Sequence, residues 1–312
     1  MDLNALRIFE RVAATGSFTA TARHFHRAVS SVSRQIASLE EALGQQLFYR
    51  HTRAVTLTEA GLRYYQEVRE ILERLDLATE ALSAPNKEPS GVLRLNAPVA
   101  FGQRQIVPIL HHFQRHYPAI KAELMLTDQL IDPVREGIDI TFRVGELADS
   151  TLVARRLASM NYVVAAAPAY LQRYGRPNTP DDLEHHDCLL YQGEMGRQRW
   201  YFHHAEQPQA FAYKVDGSLY SNDAESLVRA ALMGQGVVLF PTWLIADELA
   251  SGALLPLLDA WRCEVMPGRR DIHVLYAQRR LHTRKVSAFL DYLFEAIGPT
   301  PHWDRWREEM CE

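Results

Sequence analysis

The chain has 312 residues, 47% of them hydrophobic and 23% charged, the composition of an ordinary globular protein with room for two or three domains. No stretch reaches the roughly 18 consecutive apolar residues of a membrane span, and Asp2, Arg7, Glu10 and Arg11 interrupt the amino terminus where a secretory signal would be apolar, so a soluble, cytoplasmic protein is expected. The net charge of -4 disfavours a polyanionic partner only on average: residues 1–65 hold eight arginines against five acidic residues, which leaves a net charge of -7 on the remainder, and a basic head on an acidic body suggests a polyanion-binding module attached to something with another task.

In chain order, Leu3, Leu6, Phe9, Val12 and Ala13 recur at helical spacing and Gly16 ends that first helix. Ser17, a good N-cap residue, opens a second helix that carries Phe18, Ala22 and Phe25. A few residues later comes "AVSSVSRQIASLEE", residues 28–41. At about 100° per residue, Val32, Ile36, Leu39 and Leu43 form one narrow inward stripe. Ser30 and Arg34 stand opposite it, with Ser33 beside them, while Glu40 and Glu41 lie in later turns, away from a phosphate backbone met by the first turn. Small hydroxyls allow close approach, Arg34 can fork onto guanine O6 and N7, and a helix N-terminus favours phosphate. A solvated polar face is the plainer reading of these residues taken alone. Residues 46–61, "QLFYRHTRAVTLTEAG", shift the balance: Arg50 and Arg53 flank a short polar tip, and Val55 and Leu57 alternate as in a strand. Such a hairpin makes a wing that reaches phosphates or the minor groove.

The runs "LRIFERVAATGSFTATARHF", "SSVSRQIASLEEALGQQLFYR" and "RAVTLTEAG" together resemble, without a gap, the winged helix-turn-helix of the LysR-type transcriptional regulators. The resemblance implies a DNA-reading helix, with Ser17, Val29, Ser30, Ser33, Arg34, Arg50 and Arg53 at the DNA. This chain has Ala28 and Val29 where the family usually has Ser or Thr followed by Gln or Pro; the missing cap costs about 1 kcal/mol unless Ser30 replaces it. Val29 can touch only a thymine methyl, which is expected to shift operator preference toward thymine.

Thr58 is placed to cap a further helix, and Leu62, Tyr65, Val68, Leu72, Leu75, Thr79 and Leu82 step by three and four along it. Over residues 58–84 this is a rod of about 40 Å, whose apolar stripe needs a partner, most simply its own copy; packing on its own body is the alternative. "SAPNKEPSG", residues 83–91, breaks the pattern. Beyond it, strand-like and helical runs alternate, from VLRLNA and IVPILHHFQRHY to DIHVLYAQRR and TRKVSAFLDYLFEAI, as in α/β lobes with largely parallel sheets. The family resemblance continues through "LRLNAPVAFGQRQIVPIL", "ITFRVGELADSTLVARRL" and "AAPAYLQRYG" to about residue 297. It is nearest the branch that governs aromatic and organic-acid metabolism.

The expected architecture is an N-terminal all-α winged helix-turn-helix (1–61), a long dimerisation helix and hinge (62–90), a two-lobed α/β effector domain similar to periplasmic binding proteins (91–297) and a tail (298–312). Lobe I is expected at 91–164 plus 269–297 and lobe II at 165–268. Ligands of open α/β sheets lie at the carboxyl ends of strands, which selects Val99, Ala100, Phe101, Asp128, Arg143, Ser221, Asn222 and Asp223 as effector contacts. Phe101 could stack on an aromatic ring and Arg143 could pair with a carboxylate or form an internal ion pair. The resemblance implies a Ser or Thr in the first of these loops to hold an acidic ligand, and Val99 and Ala100 in its place weaken the case for a simple dicarboxylate. The resemblance implies promoter DNA, a small-molecule effector such as an aromatic or organic acid, a second copy in a homodimer, a homotetramer built as a dimer of dimers and RNA polymerase as partners, in a bacterial setting.

Other readings have less support. Cys188, Cys263 and Cys311 are an odd, scattered set without CxxC spacing, expected as inert thiols rather than a redox pair. The histidine pairs at 111–112, 185–186 and 203–204 point apart on any regular element and make no chelate. "GQGVVLF" at 234–240 ends a helix and precedes a strand, the reverse of a dinucleotide fingerprint. No catalytic, metal-binding or cofactor constellation is expected. The rival architecture, a solute-binding protein or enzyme on the same two lobes, leaves the basic head without purpose.

Overall fold

Gly16 and Gly44 end the first and third helices in the left-handed conformation, at φ 59° and 64°, where a glycine lacks the Cβ clash of other residues. Helix α1 (Leu3–Thr15) starts on Asp2, whose side chain accepts the Asn4 N–H at 3.2 Å. Helix α2 (Phe18–His24) starts on Ser17, whose Oγ accepts the Ala20 N–H at 3.2 Å. Helix α3 (Val29–Leu43) starts on Ala28 with no side-chain cap; Ser30 lies one residue inside the helix and does not replace it. Strands β1 (Phe48–His51) and β2 (Ala54–Leu57) form the antiparallel wing.

Two contacts fix this wing. Glu40 Oε1 accepts the N–H groups of Leu47 and Phe48 at 2.8 and 3.2 Å, tying α3 to β1. Thr58 Oγ1 accepts the Gly61 N–H at 2.9 Å and donates to Gln46 O at 2.7 Å, so it caps helix α4 (Glu59–Ala81) as the sequence suggests. A Cβ on Gly61 would fall 2.0 Å from the Leu47 carbonyl oxygen, which makes this glycine a condition of helix and wing meeting. The 23 residues of α4 span about 34 Å. Its stripe divides: Val68 and Leu72 are buried in the head with Ile8, Phe9, Val12, Val32, Ile36 and Leu39, whereas Ile71 is 54% exposed.

The computed structural model describes residues 2–51, 54–81, 88–145, 147, 152–193, 196–204, 210–266, 268 and 270–306, in two units, Met1–Lys87 and Glu88–Glu312. The second unit begins with β3 (Gly91–Ala97), whose path runs through α5 (Val99–Phe101), a π-helical turn (Gly102–Ile106) and α6 (Val107–His116) to β4 (Ile120–Leu126), then through α7 (Pro133–Glu136) to β5 (Ile140–Val144). After β6 (Val153–Ser159) the chain crosses to a second lobe of β7 (Tyr162–Ala166), α8 (Pro168–Tyr174), β8 (Leu190–Gly193), β9 (Gly196–Arg197), β10 (Trp200–His204), β11 (Phe211–Tyr213), β12 (Tyr220–Ser221), α9 (Ala224–Leu232), β13 (Val237–Pro241), α10 (Thr242–Ala250), β14 (Leu255–Leu257) and β15 (Trp261–Glu264). It then returns as β16 (Asp271–Tyr276) and α11 (Arg284–Ile297).

The sheets depart from the largely parallel expectation. The first lobe is a five-stranded sheet ordered β4-β3-β5-β16-β6, parallel across β4, β3 and β5 but antiparallel where the returning β16 meets β5 and β6. Among the described residues the second lobe holds three small sheets, and β7 pairs antiparallel with both β13 and β14. A strand that re-enters from the other lobe arrives in the opposite direction, which alternation of elements along the sequence does not reveal. Because β7 already pairs in the second lobe from Tyr162, the first crossing falls at residues 160–161, before the expected boundary of 164.

The segment after α11 is not a loose end where it is described. Trp303 and Trp306 are 1% and 4% exposed. The Trp303 ring lies edge-on to Phe101 at 6.2 Å, and Thr242 Oγ1 is bonded to Asp304 Oδ1 at 2.6 Å.

Candidate functional site

The head offers an outward helical face. Burial of Val32, Ile36 and Leu39 fixes the roll of α3, and Ser30 and Arg34 are exposed on the opposite side. Among the described residues Arg34 bonds only to its own helix, Nε donating to Ser30 O at 3.3 Å, so no carboxylate among them neutralises its guanidinium. Ser33 is half-buried at the edge of this face, and Val29 is 44% exposed in the first turn. Arg27 extends the cationic side and donates to Gln35 Oε1 at 3.1 Å. Ser17 is half-buried with its hydroxyl committed to the cap of α2. Arg50 sits on β1 opposite Val55; Arg53 lies outside the described residues. Glu40, in the later turns of α3, anchors the wing through the Leu47 and Phe48 N–H groups, a role that its place in the sequence does not signal.

In the second unit the expected contacts separate. Val99 and Ala100 form the first turn of a helix rather than a loop, and the Val99 N–H donates to Asp128 Oδ1 at 3.1 Å. Asp128 therefore supplies the negative charge that this helix start favours. Asp223 caps α9, accepting the Ser226 N–H at 3.1 Å, while Ser221 Oγ accepts the Asp223 N–H at 3.0 Å; Asn222 is exposed. Phe101 must be corrected: it is 0% exposed, with Phe142, Trp243 and Trp303 around it at ring-centroid distances of 5.9, 5.3 and 6.2 Å. A ring so enclosed is core packing and presents no face to a ligand. Arg143 is half-buried on β5 opposite His273, and burial lowers its pKa with no carboxylate opposing that effect, so the internal ion pair weighed for it does not form among the described residues.

Between these groups runs a contact that the sequence did not disclose. Arg104, in the π-helical turn, forks onto Glu225 through Nε and Nη2 at 2.7 and 2.8 Å and donates to Glu248 at 2.8 Å. The Glu225 carboxylate, with Glu248 beside it, holds the guanidinium pKa up against the opposing effect of burial. Gln105 Nε2 donates to Trp243 O at 2.7 Å within the same interface. The bridge joins the helix that starts at Val99 to the first turn of α9, and so couples the two halves of the expected crevice. Its partners are 121 and 144 residues apart, beyond any local pattern.

Cys188 and Cys263 are buried, and desolvation pushes both thiols up to about 12, so neither is a thiolate near neutral pH. Cys311 lies outside the described residues. Among the described residues no cluster of three metal-ligating side chains occurs, and no helix is long and apolar enough to cross a membrane.

Comparison with known proteins bears on both units. Residues 3–62 match the family described as "Bacterial regulatory helix-turn-helix protein, lysR family", and residues 86–298 match the "LysR substrate binding domain". A Haemophilus influenzae HTH-type transcriptional regulator is 35% identical over 285 residues, 91% of this chain and 97% of the relative. The structure of CrgA, a LysR-type transcriptional regulator from Neisseria meningitidis, is similar with a TM-score of 0.60 at 30% identity, over 96% of this chain and 99% of that one. The full-length Vibrio cholerae virulence activator AphB gives a TM-score of 0.59 at 30% identity, over 95% and 99%.

Proposed function

Because this chain belongs to the LysR family of transcriptional regulators, binding promoter DNA through its first unit and a small-molecule effector through its second, we propose that α3 reads the major groove through Ser30, Ser33 and Arg34. Val29 supplies an apolar contact, Ser17 and Arg50 meet the phosphates, and Arg53 approaches them from the wing. The observation that carries this reading is the exposed Arg34 guanidinium without a carboxylate partner among the described residues, on the face opposite three buried aliphatic residues. Arginine forked onto guanine is the commonest specific base contact.

The effector site in this reading is the crevice flanked by Val99, Ala100, Asp128 and Arg143 on one lobe and by Ser221, Asn222 and Asp223 on the other, with Phe101 behind it as support. Asp128 and Asp223 already occupy two helix starts, which leaves Arg143 as the group suited to an acidic effector. An effector bound here changes the lobe angle, and hence the spacing of two heads on DNA, only through different affinities for the two arrangements. The chain works in the cytoplasm without enzymatic activity of its own, as a homodimer through α4 and a homotetramer built from two dimers, with RNA polymerase as its downstream partner.

Selection of duplexes from a random pool with the full chain tests the head: two half-sites about one helical turn, or a multiple of it, apart are expected. A pool that emerges unselected would refute base reading. Arg53→Ala is expected to weaken binding to all duplexes alike and to reduce the slope of log K against log salt by about one.

A further inference from the structure

A cavity of about 490 Å³ lies beside the two crossings between the lobes, lined by Met160 and Asn161 on the first and by Met266, Gly268 and Arg270 on the second. None of the crevice residues lines it. Its volume falls within the roughly 300–1,000 Å³ of small-molecule sites, and its cationic groups are unmatched by carboxylates among the described residues. Arg270 lies beside the Tyr162 hydroxyl and donates from Nη2 to Met266 Sδ at 3.2 Å, yet its Nε is buried without an acceptor. Arg262, exposed on β15, also lines the cavity and meets no carboxylate among the described residues. The one carboxylate in the described wall, Glu264, is engaged by His203 Nε2 at 2.8 Å.

A guanidinium half-withdrawn from water, with an unmet N–H, is costly unless an acceptor reaches it. Its planar fork matches an oxyanion better than a neutral ligand. We infer that this hinge cavity is a second ligand site, specific for a small oxyanion held by Arg270 with Arg262. A ligand there touches both crossings at once, so it sets the lobe angle from the hinge, independently of what fills the crevice.

Isothermal titration of the full chain with malonate and with inorganic phosphate, at constant ionic strength, separates a carboxylate from a phosphate occupant. A saturable one-site isotherm is expected for at least one of them, weakened tenfold or more by Arg270→Gln and several-fold by Arg262→Gln, an exposed position that does not endanger folding, but unchanged by Arg143→Gln. No saturable binding of either anion overturns the inference. So does binding that survives both hinge substitutions, and so does binding lost only with Arg143→Gln, which places the anion in the crevice.

Discussion

The outward face of α3 and the rim of the crevice carry similar side chains in opposite states. On α3 the polar groups are left available: Arg34 touches only its own helix among the described residues, and Ser30 is exposed. At the rim they are largely engaged with one another, Asp128 on the Val99 N–H, Asp223 on Ser226, and Arg104 on Glu225 and Glu248. A surface meant for a large, charged, intermittently bound partner can remain hydrated and unpaired at little cost. A crevice between two lobes must satisfy its polar groups internally, because buried unpaired groups are expensive. Unmatched groups are therefore informative in the second unit, where Arg143 and the hinge arginines stand out.

The contrast can be broken most forcefully at Phe101. As a core ring it predicts that Phe101→Ala lowers stability by about 3–5 kcal/mol in denaturant unfolding of the second unit. If stability holds and only the effector response changes, the ring belongs to the rim. In the head, Gly61→Ala is expected to cost about 3 kcal/mol, the upper end of overpacking, because the new methyl meets the Leu47 carbonyl. Thermal melts should show the head loosened and the second unit unchanged. Arg104→Gln removes charge-assisted bonds that are partly screened by solvent, a loss of about 1–2 kcal/mol. Small-angle scattering should show a wider spread of lobe angles, while affinity for random DNA stays the same. Ala28→Ser supplies the cap that α3 lacks and should stabilise the head by about 1 kcal/mol in the same melts.

Much of the head is legible in the sequence because its signals are local. Gly16 and Gly44 mark helix ends, Ser17 and Thr58 mark starts, and Val32, Ile36 and Leu39 fix the buried side at one helical spacing. The close approach at Gly61 and the anchor at Glu40 are not legible, since each depends on a neighbour brought in by tertiary folding. In the second unit the strands and helices show in the alternation, but the direction in which β16 pairs does not. Phe101 misleads for a related reason: a phenylalanine after a strand end has the same local signature whether it faces a cleft or, as here, Trp243 and Trp303. Trp303 and Trp306 lie beyond residue 298, where the family match ends, and their burial is set by packing partners distant in the chain.

Base reading by the free face of α3 is tested most directly by competition binding. The ratio of affinities for selected operator and random duplex is measured for the wild type and for Arg34→Ala at one salt concentration. Loss of a forked guanine contact predicts that this ratio falls by about 1–3 kcal/mol, roughly 5- to 150-fold, while affinity for random duplex changes far less. An unchanged ratio would contradict base reading by Arg34, since discrimination would then reside elsewhere on the molecule.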